Sequence, residues 1–397
     1  MEKVHINFFV FIQKLCAKVG VSMHLIELKV SRIVSEVKKL FDVDVILLRS
    51  RETLAYLFSE LYNPPPEDVP VSNVLIDVKS SYATAYISLL DYHRANETYS
   101  GTHLIDFVPV FSHSLTLQSG VKVLTSDEVK REIESTISSA KAFATDFAAF
   151  CEQRLCSNIK PIIEVLRRRK IDAELELIRR AIDITERVLV NSLTFISPGI
   201  SEKALSGKLI EMAMALGAEG IAFSPIVAIG KNAAKPHHIV QSTVFNGCEP
   251  ILIDFGVRVR GYVSDVTRMI LPRRLCSEYV DVEGNALLIS EVIDSAIVNL
   301  KPNTAASGID SVAREKLKER GLDAYFIHGL GHGIGVDVHE PPRISSNSRD
   351  TLLPGDTITV EPGVYFFNKY GVRIEEDVYV DENGGKLLTT SPRTLYL

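Results

Sequence analysis

The sequence predicts a mixed α/β (α+β) protein of two domains, residues 1–165 and 166–397. Three observations carry this. Helical-period and strand-like apolar runs alternate through the first part. A charged amphipathic stretch at residues 167–189 then marks a junction. Beyond it, strand-rich segments recur between helices, and single carboxylates interrupt several of them. A chain of 397 residues can bury the cores that two domains require.

In the first domain, apolar residues from Ile26 fall at Val30, Ile33, Val34, Val37, Leu40 and Phe41. That spacing predicts a helix. VDVILL at residues 43–48 reads as a buried strand, with further strands at 71–78, 104–111 and 121–124. Thr125 and Glu128 make a capping box, opening a helix expected to run to about Leu155. In the second domain, residues 167–189 form one helix, Ser201 and Glu202 open another to about Leu216, and a third covers 307–320 with Gly321 as its C′ residue. The strand candidates are PILIDFGVRV, GYVSDVTRMIL, DTITVEPGVYFF and GVRIEEDVYV. Gly256 and Gly261 bracket VRVR, which predicts a hairpin or bulged strand pair. FFVFI at residues 8–12 is too short an apolar run for a signal peptide and reads as a helix or terminal extension.

Composition narrows the function classes. The chain is 46% hydrophobic and 24% charged, the balance of a soluble globular protein. A net charge of -6 gives no footprint for nucleic acid. No run approaches the ~18 apolar residues of a membrane span, so no membrane association is expected. The five cysteines, Cys16, Cys151, Cys156, Cys248 and Cys276, are odd in number and contain no CxxC. They read as reduced thiols in a cytoplasm, with Cys151 and Cys156 structural.

The carboxylates carry the chemistry. Asp254 follows three aliphatics in ILIDFG, where burial is costly unless the charge is paired or metal-bound. Asp265 lies eleven residues on in GYVSDVTR, and the expected hairpin brings the two together. The arrangement recurs: Glu361 ends TITVE before Pro362 and Gly363, and Glu375 lies on a returning strand in GVRIEEDV. Period-two alternation puts Arg373, Glu375 and Asp377 on one face and Glu376 on the other, where an ion pair is the better reading. Any one of these acids alone would be an ordinary salt-bridge residue. Four packed together repel unless cations hold them. Two divalent ions and one imidazole would complete a mixed oxygen and nitrogen shell, suited to manganese, cobalt, zinc or iron. Three of the ten histidines lie in HGLGHGIGVDVHE at residues 328–340, and His237 and His238 form the other pair after His113. The glycines at 329, 331, 333 and 335 permit close backbone approach. Ile334 takes the last glycine position of GxGxxG, so no phosphate loop is supported.

These residues, in this order, resemble the pita-bread metallopeptidases, the family of methionine aminopeptidase, aminopeptidase P, prolidase and the metal-free creatinase. The match covers about residues 170–397, and residues 26–57 loosely resemble the amino-terminal domain of creatinase and prolidase. The resemblance implies a creatinase-like α/β domain followed by a pita-bread catalytic domain. It implies five ligands for two metal ions: Asp254 in IDFG, Asp265 in SDVTR, His332 in GHGIG, Glu361 in VEPG and Glu375 in RIEED. Asp265 and Glu375 would bridge the ions, Asp254 would bind one, and His332 and Glu361 the other. Glu361 would also carry a proton. His237 would lie near the leaving side of the scissile bond. His328 and His339 would hold the substrate and stabilise the developing oxyanion. Arg343, four residues after His339 in HEPPRIS, matches an arginine that grips the substrate carboxylate in prolidases; its bland alternative is a solvated surface residue. The expected activity is hydrolysis of the bond before proline in Xaa-Pro dipeptides. The alternatives are an aminopeptidase acting on longer peptides and an inactive peptidase-like binding protein. A homodimer acting on a small proline-containing peptide is implied. His238 reads as a surface or supporting residue, and His5, His24, His93, His103 and His113 as structural or exposed.

Overall fold

The computed structural model describes residues 24–61, 70–151 and 156–397, and the apolar run at 8–12 lies outside them. The chain forms two compact units, divided between Leu166 and Arg167.

The first unit is built on a six-stranded sheet in the order Ile105–Val110, Tyr82–Ser88, Val71–Asp77, Val45–Leu48, Phe143–Thr145, Ser157–Asn158. All four residues of Val45–Leu48 are buried. Alternation sends Ile46 and Leu48 into one apolar cluster and Val45 and Leu47 into another, so both faces of the sheet are covered. Helix Leu25–Leu40 buries Val30, Ile33, Val34 and Val37, while Leu40 stands out in solvent. Helix Ser126–Ser139 carries the expected Thr125–Glu128 capping box. It ends well before Leu155, because Phe143–Thr145 pairs in parallel with Val45–Leu48 and buries Phe143 and Ala144 in the sheet. Burial in the ladder outweighs continuation of the helix.

The cysteine expectation is corrected. Cys151 and Cys156 form a disulfide with Cα atoms 5.3 Å apart, and Cys248 and Cys276 form a second at 5.1 Å. Both pairs meet the Cα separation that bridging requires. The second closes the base of the strand pair Ile251–Phe255 and Val266–Leu271, where the Cys276 amide also donates to the Cys248 carbonyl at 3.0 Å. Sequence spacing carried no sign of either pairing.

In the second unit the expected single helix at 167–189 is two. Lys160–Arg168 ends, and Asp172–Ser192 begins under the Glu174 carboxylate, which accepts from the Ile171 amide at 3.0 Å. This second helix packs on the strands Val257–Val259 and Tyr262–Val263. Helices Val282–Asn299 and Ala306–Lys318 pack on each other and on a five-stranded sheet in the order Glu340–Ile344, Gly331–Gly333, Thr357–Val360, Glu376–Asp381, Gly384–Leu387, joining Ile289, Val292, Ile309 and Ala313 to Ile358, Val360, Val378 and Val380 in one core. Gly321 follows with φ +68°, the left-handed position expected of a C′ glycine.

Two broken hairpins lie at the centre of this unit. In the first, Ile251–Phe255 pairs with Val266–Leu271, and beyond a break Val257–Val259 pairs with Tyr262–Val263. Arg260 and Gly261, both at positive φ, turn the chain. Gly256 sits at the break, where a Cβ would lie 2.0 Å from the Ser264 carbonyl oxygen. In the second, Thr357–Val360 pairs with Glu376–Asp381, and beyond a break Gly363–Phe366 pairs with Tyr370–Arg373.

Candidate metal centre

The breaks hold the acids. Asp254 stands opposite Thr267 at the inner edge of the first break, and Asp265 lies within it. Glu361 and Glu375 occupy the second, immediately beyond the paired Val360 and Glu376. A regular ladder would alternate these side chains between faces. The interruptions free the backbone to aim all four inward; Asp254, Asp265 and Glu375 are buried, and Glu361 is half-buried.

His332 enters from strand Gly331–Gly333, squeezed between two others. A Cβ at Gly331 would meet the Thr359 carbonyl oxygen at 2.1 Å, and one at Gly333 the Pro341 carbonyl oxygen at 2.3 Å. The His332 Nε2 lies 3.3 Å from Glu361 Oε1 and 3.8 Å from Asp265 Oδ2. Asp265, His332 and Glu375 each offer a ligand atom, and the three atoms lie within 4.8 Å of one another. Glu361 adjoins this trio through His332. Asp254 Oδ2 instead accepts from Arg373 Nη2 at 2.7 Å, while its Oδ1 is buried with no donor and has the Asp265 carboxylate as neighbour.

The electrostatics fit a cation. Burial, then repulsion from Glu375, Asp254 and Glu361, pushes Asp265 well above the usual carboxylate range. Burial and the Glu361 and Asp254 charges do the same to Glu375, against the opposing pull of Arg373 and a Thr267 hydrogen bond. Burial also raises Asp254, with Arg373 opposing it. Glu361 goes the other way. Burial resists its ionisation, but the His332 hydrogen bond and the charges of His332, His328 and Arg373 hold it down to about 2. An acceptor-only cluster with an orphaned buried oxygen and mutually raised acids is the donor set that divalent ions neutralise.

The profile of metallopeptidase family M24 matches residues 176–382, which include every one of these side chains. The chain belongs to metallopeptidase family M24. It is 32% identical over 329 residues to the Xaa-Pro dipeptidase of Pyrococcus furiosus, covering 82% of this chain and 90% of that one. Among solved structures, the X-Pro aminopeptidase of Thermotoga maritima superposes with a TM-score of 0.74 at 27% identity, over 91% of this chain and all of that one. The prolidase of Pyrococcus horikoshii gives 0.72 at 26% identity, over 92% and 99%. The two-domain pita-bread architecture is therefore that of these enzymes.

Around the M24 centre the remaining candidates are placed as follows. His328 Nδ1 meets the Gly329 carbonyl at 2.8 Å and its Nε2 meets the Tyr365 hydroxyl at 2.9 Å; burial holds it below the usual imidazole value. His339 stands edge-on to His332 with ring centres 4.3 Å apart, and burial likewise lowers it. His237 is exposed and is an electrostatic neighbour of both His328 and His339. Arg343 is the Cα partner of His332 across the ladder and lies on the exposed face of its strand. His238 is not a surface residue: it is buried, with Nε2 2.8 Å from the Glu202 carboxylate, which also ties Ile229, Asn232 and Gln241. Glu376 has the ion-pair role expected of it, between Arg268 at 2.9 Å and Arg393 at 2.7 Å.

Sequence reasoning missed three residues. Arg373 was placed on the Glu375 face but given no task. It binds Asp254, donates from Nη1 to the Tyr365 hydroxyl at 3.0 Å, and donates from Nε to Thr267 Oγ1 at 3.2 Å. Thr267 in turn donates to Glu375 Oε2 at 2.7 Å. Tyr365 carries the link on to His328, and burial raises its phenol to about 12. The available signal was a strongly basic residue on a strand otherwise wholly buried.

Proposed function

We propose that this metallopeptidase hydrolyses the peptide bond preceding proline, with Xaa-Pro dipeptides as its main substrates. The observation that carries this reading is the position of Arg343. It is the cross-strand partner of His332, and the strand's alternation buries Glu340, Pro342 and Ile344 while leaving Arg343 free to face a substrate. Its guanidinium can grip a free proline carboxylate in two places, which an internal proline does not offer. The likeness to a relative named Xaa-Pro dipeptidase supports the same substrate class.

Asp254, Asp265, His332, Glu361 and Glu375 would hold two divalent ions, manganese, cobalt, zinc or iron. When bound, these polarise the scissile carbonyl and lower the pKa of water. Glu361, beside His332 at the centre, is placed to take the proton from water and pass it to the proline nitrogen. His339, beside His332 on the open side of its strand, donates toward the carbonyl oxygen as it gains charge. His328 has its ring fixed by Gly329 and Tyr365 and holds the substrate, with His237 on the leaving side. A homodimer is part of this reading. The cytoplasmic location expected from reduced cysteines loses that support with two disulfides in place.

A second reading, cleavage of longer peptides, draws on the likeness to an X-Pro aminopeptidase. One experiment separates the two: hydrolysis of Met-Pro beside an Xaa-Pro-Xaa tripeptide, after chelation and re-addition of manganese, cobalt or zinc. Cleavage of the dipeptide alone is expected, and Arg343→Ala should raise KM far more than it lowers kcat. Cleavage of the tripeptide at equal efficiency would move the assignment to an aminopeptidase. No cleavage by the folded, metal-loaded protein would favour a binding protein.

A further inference from the structure

The segment that carries His339 is anchored from behind by an ion cluster with no part in the chemistry above. Strand Gly331–Gly333 pairs with Glu340–Ile344 through an irregular register, His332 opposite Arg343 and Gly333 opposite Glu340. The chain between them loops out and returns, and His339 is its last residue before the strand. Glu340 points into the protein with its side chain 4% exposed. Its Oε1 accepts from Lys170 Nζ at 2.7 Å and its Oε2 from Arg167 Nη2 at 2.8 Å. The same Arg167 nitrogen binds Asp337 Oδ2 at 2.8 Å, so one guanidinium spans both sides of His339. Arg258 Nη1 ties the start of the loop by donating to the Val336 carbonyl at 2.8 Å. Gly335 makes room for the cluster: a Cβ there would lie 2.2 Å from Glu340 Oε1.

Lys170 and Arg167 pair with Glu340 and Asp337 in a largely buried ion cluster. Desolvation cancels most of the attraction in such groups, and apolar side chains of the same volume would stabilise the fold as well. What the ions add is direction. Neighbouring residues at the start of a strand face opposite ways. Fixing the Glu340 carboxylate inward therefore turns the His339 ring outward, edge-on to His332.

We infer that Lys170 and Arg167 are positioning residues, acting through Glu340 to hold the His339 imidazole beside His332. This rests on the reading of His339 as a residue that touches the substrate. Lys170 lies 169 residues from His339 in sequence, and nothing in its local pattern separates it from a solvated lysine.

The test is a double-mutant cycle on the manganese-loaded full-length protein with Met-Pro. Lys170→Met should lower kcat/KM about 10- to 100-fold, mainly in kcat, with manganese stoichiometry unchanged. Lys170→Arg should recover most of the loss. In a His339→Ala background, Lys170→Met should cost almost nothing further, because its route of action is gone. An equal loss in both backgrounds, or no loss in either, would overturn the inference. Should Lys170→Met fail to fold, Asp337→Ala loosens Arg167 from the cluster's outer edge and enters the same cycle. Histidine-ring NMR reads the geometry without turnover: the His339 signal, assigned through its absence in His339→Ala, should shift in the Lys170 variant. An unmoved His339 signal overturns the inference even if the protein cleaves no dipeptide, whereas an inactive wild type with a shifted signal overturns only the functional reading.

Discussion

The two carboxylate hairpins of the M24 domain do the same job with different partners, and each is completed by the other. Asp254 of the first is neutralised by Arg373 of the second. Glu375 of the second is held by Thr267 of the first, and its carbonyl oxygen accepts from Arg268 Nη1 at 2.6 Å. The difference lies in charge. Asp254 has a guanidinium at 2.7 Å, whereas Glu375 receives a neutral hydroxyl and faces Glu361 and Asp254. The first hairpin is also closed at its base by Cys248–Cys276, and the second has no disulfide. Each hairpin therefore carries one acid with a charged or imidazole partner, Asp254 or Glu361, and one without, Asp265 or Glu375, whose ionisation burial and neighbouring carboxylates oppose.

Substitutions can break this comparison. The largest effect belongs to Glu375→Gln, which should lower kcat/KM by ~10³-fold or more through lost metal binding. The metal-free variant should melt no lower than the metal-free parent, because a destabilised buried charge has been removed. Asp254→Ala should abolish activity too, but it leaves a buried guanidinium short of its partner. Its metal-free form should lose about 3–5 kcal/mol in denaturant unfolding. Equal melting shifts for the two variants would erase the contrast between the paired Asp254 and the unpaired Glu375.

Next in size is the staple. A disulfide closing a loop 28 residues apart in sequence is worth at most about 3–4 kcal/mol on chain-entropy grounds. Cys248→Ser with Cys276→Ser should lower the melting temperature and weaken manganese binding at the first hairpin. An unchanged melting temperature would show that the ladder alone fixes Asp254 and Asp265.

The smallest effect is on pH. His328 sits below the ordinary imidazole value because burial disfavours its charged form. A group lowered on folding stabilises the protein fully above its unfolded value, about 6.5, and that stability is lost as pH falls toward the folded value. Activity should therefore persist somewhat below pH 6.5 and then fall as the Nε2 acceptor for Tyr365 is protonated. His328→Gln should remove that acid limb, and a limb unchanged in the variant would assign it to another group.

How much of this was legible depends on whether the signal was local. Asp254, Asp265, Glu361 and Glu375 stood out because each interrupts an apolar strand, and His332 because histidines crowd around it. Arg373, Tyr365 and Thr267 act across hydrogen bonds spanning 8 to 119 positions, and period-two reasoning could assign Arg373 a face but no partner. The disulfides escaped for the same reason, since Cys248 and Cys276 meet only once the hairpin between them has formed. Helix Val282–Asn299 escaped because Leu287 and Val298 are exposed on its outer side, which blurs the 3.6-residue period. In the first domain, helix Leu25–Leu40 and the strands at 45–48 and 71–77 were readable from period alone, whereas the strand at 143–145 lay inside a convincing helical pattern.

The account stands on the two hairpins jointly forming one site for two ions. Equilibrium dialysis against manganese, with the bound metal counted per chain, tests that most directly. The prediction is two ions per chain for the wild type, with both lost or severely weakened in Glu375→Gln, since that residue faces both hairpins. A wild type that binds one ion, or a Glu375→Gln protein that still binds two with full affinity, would contradict it.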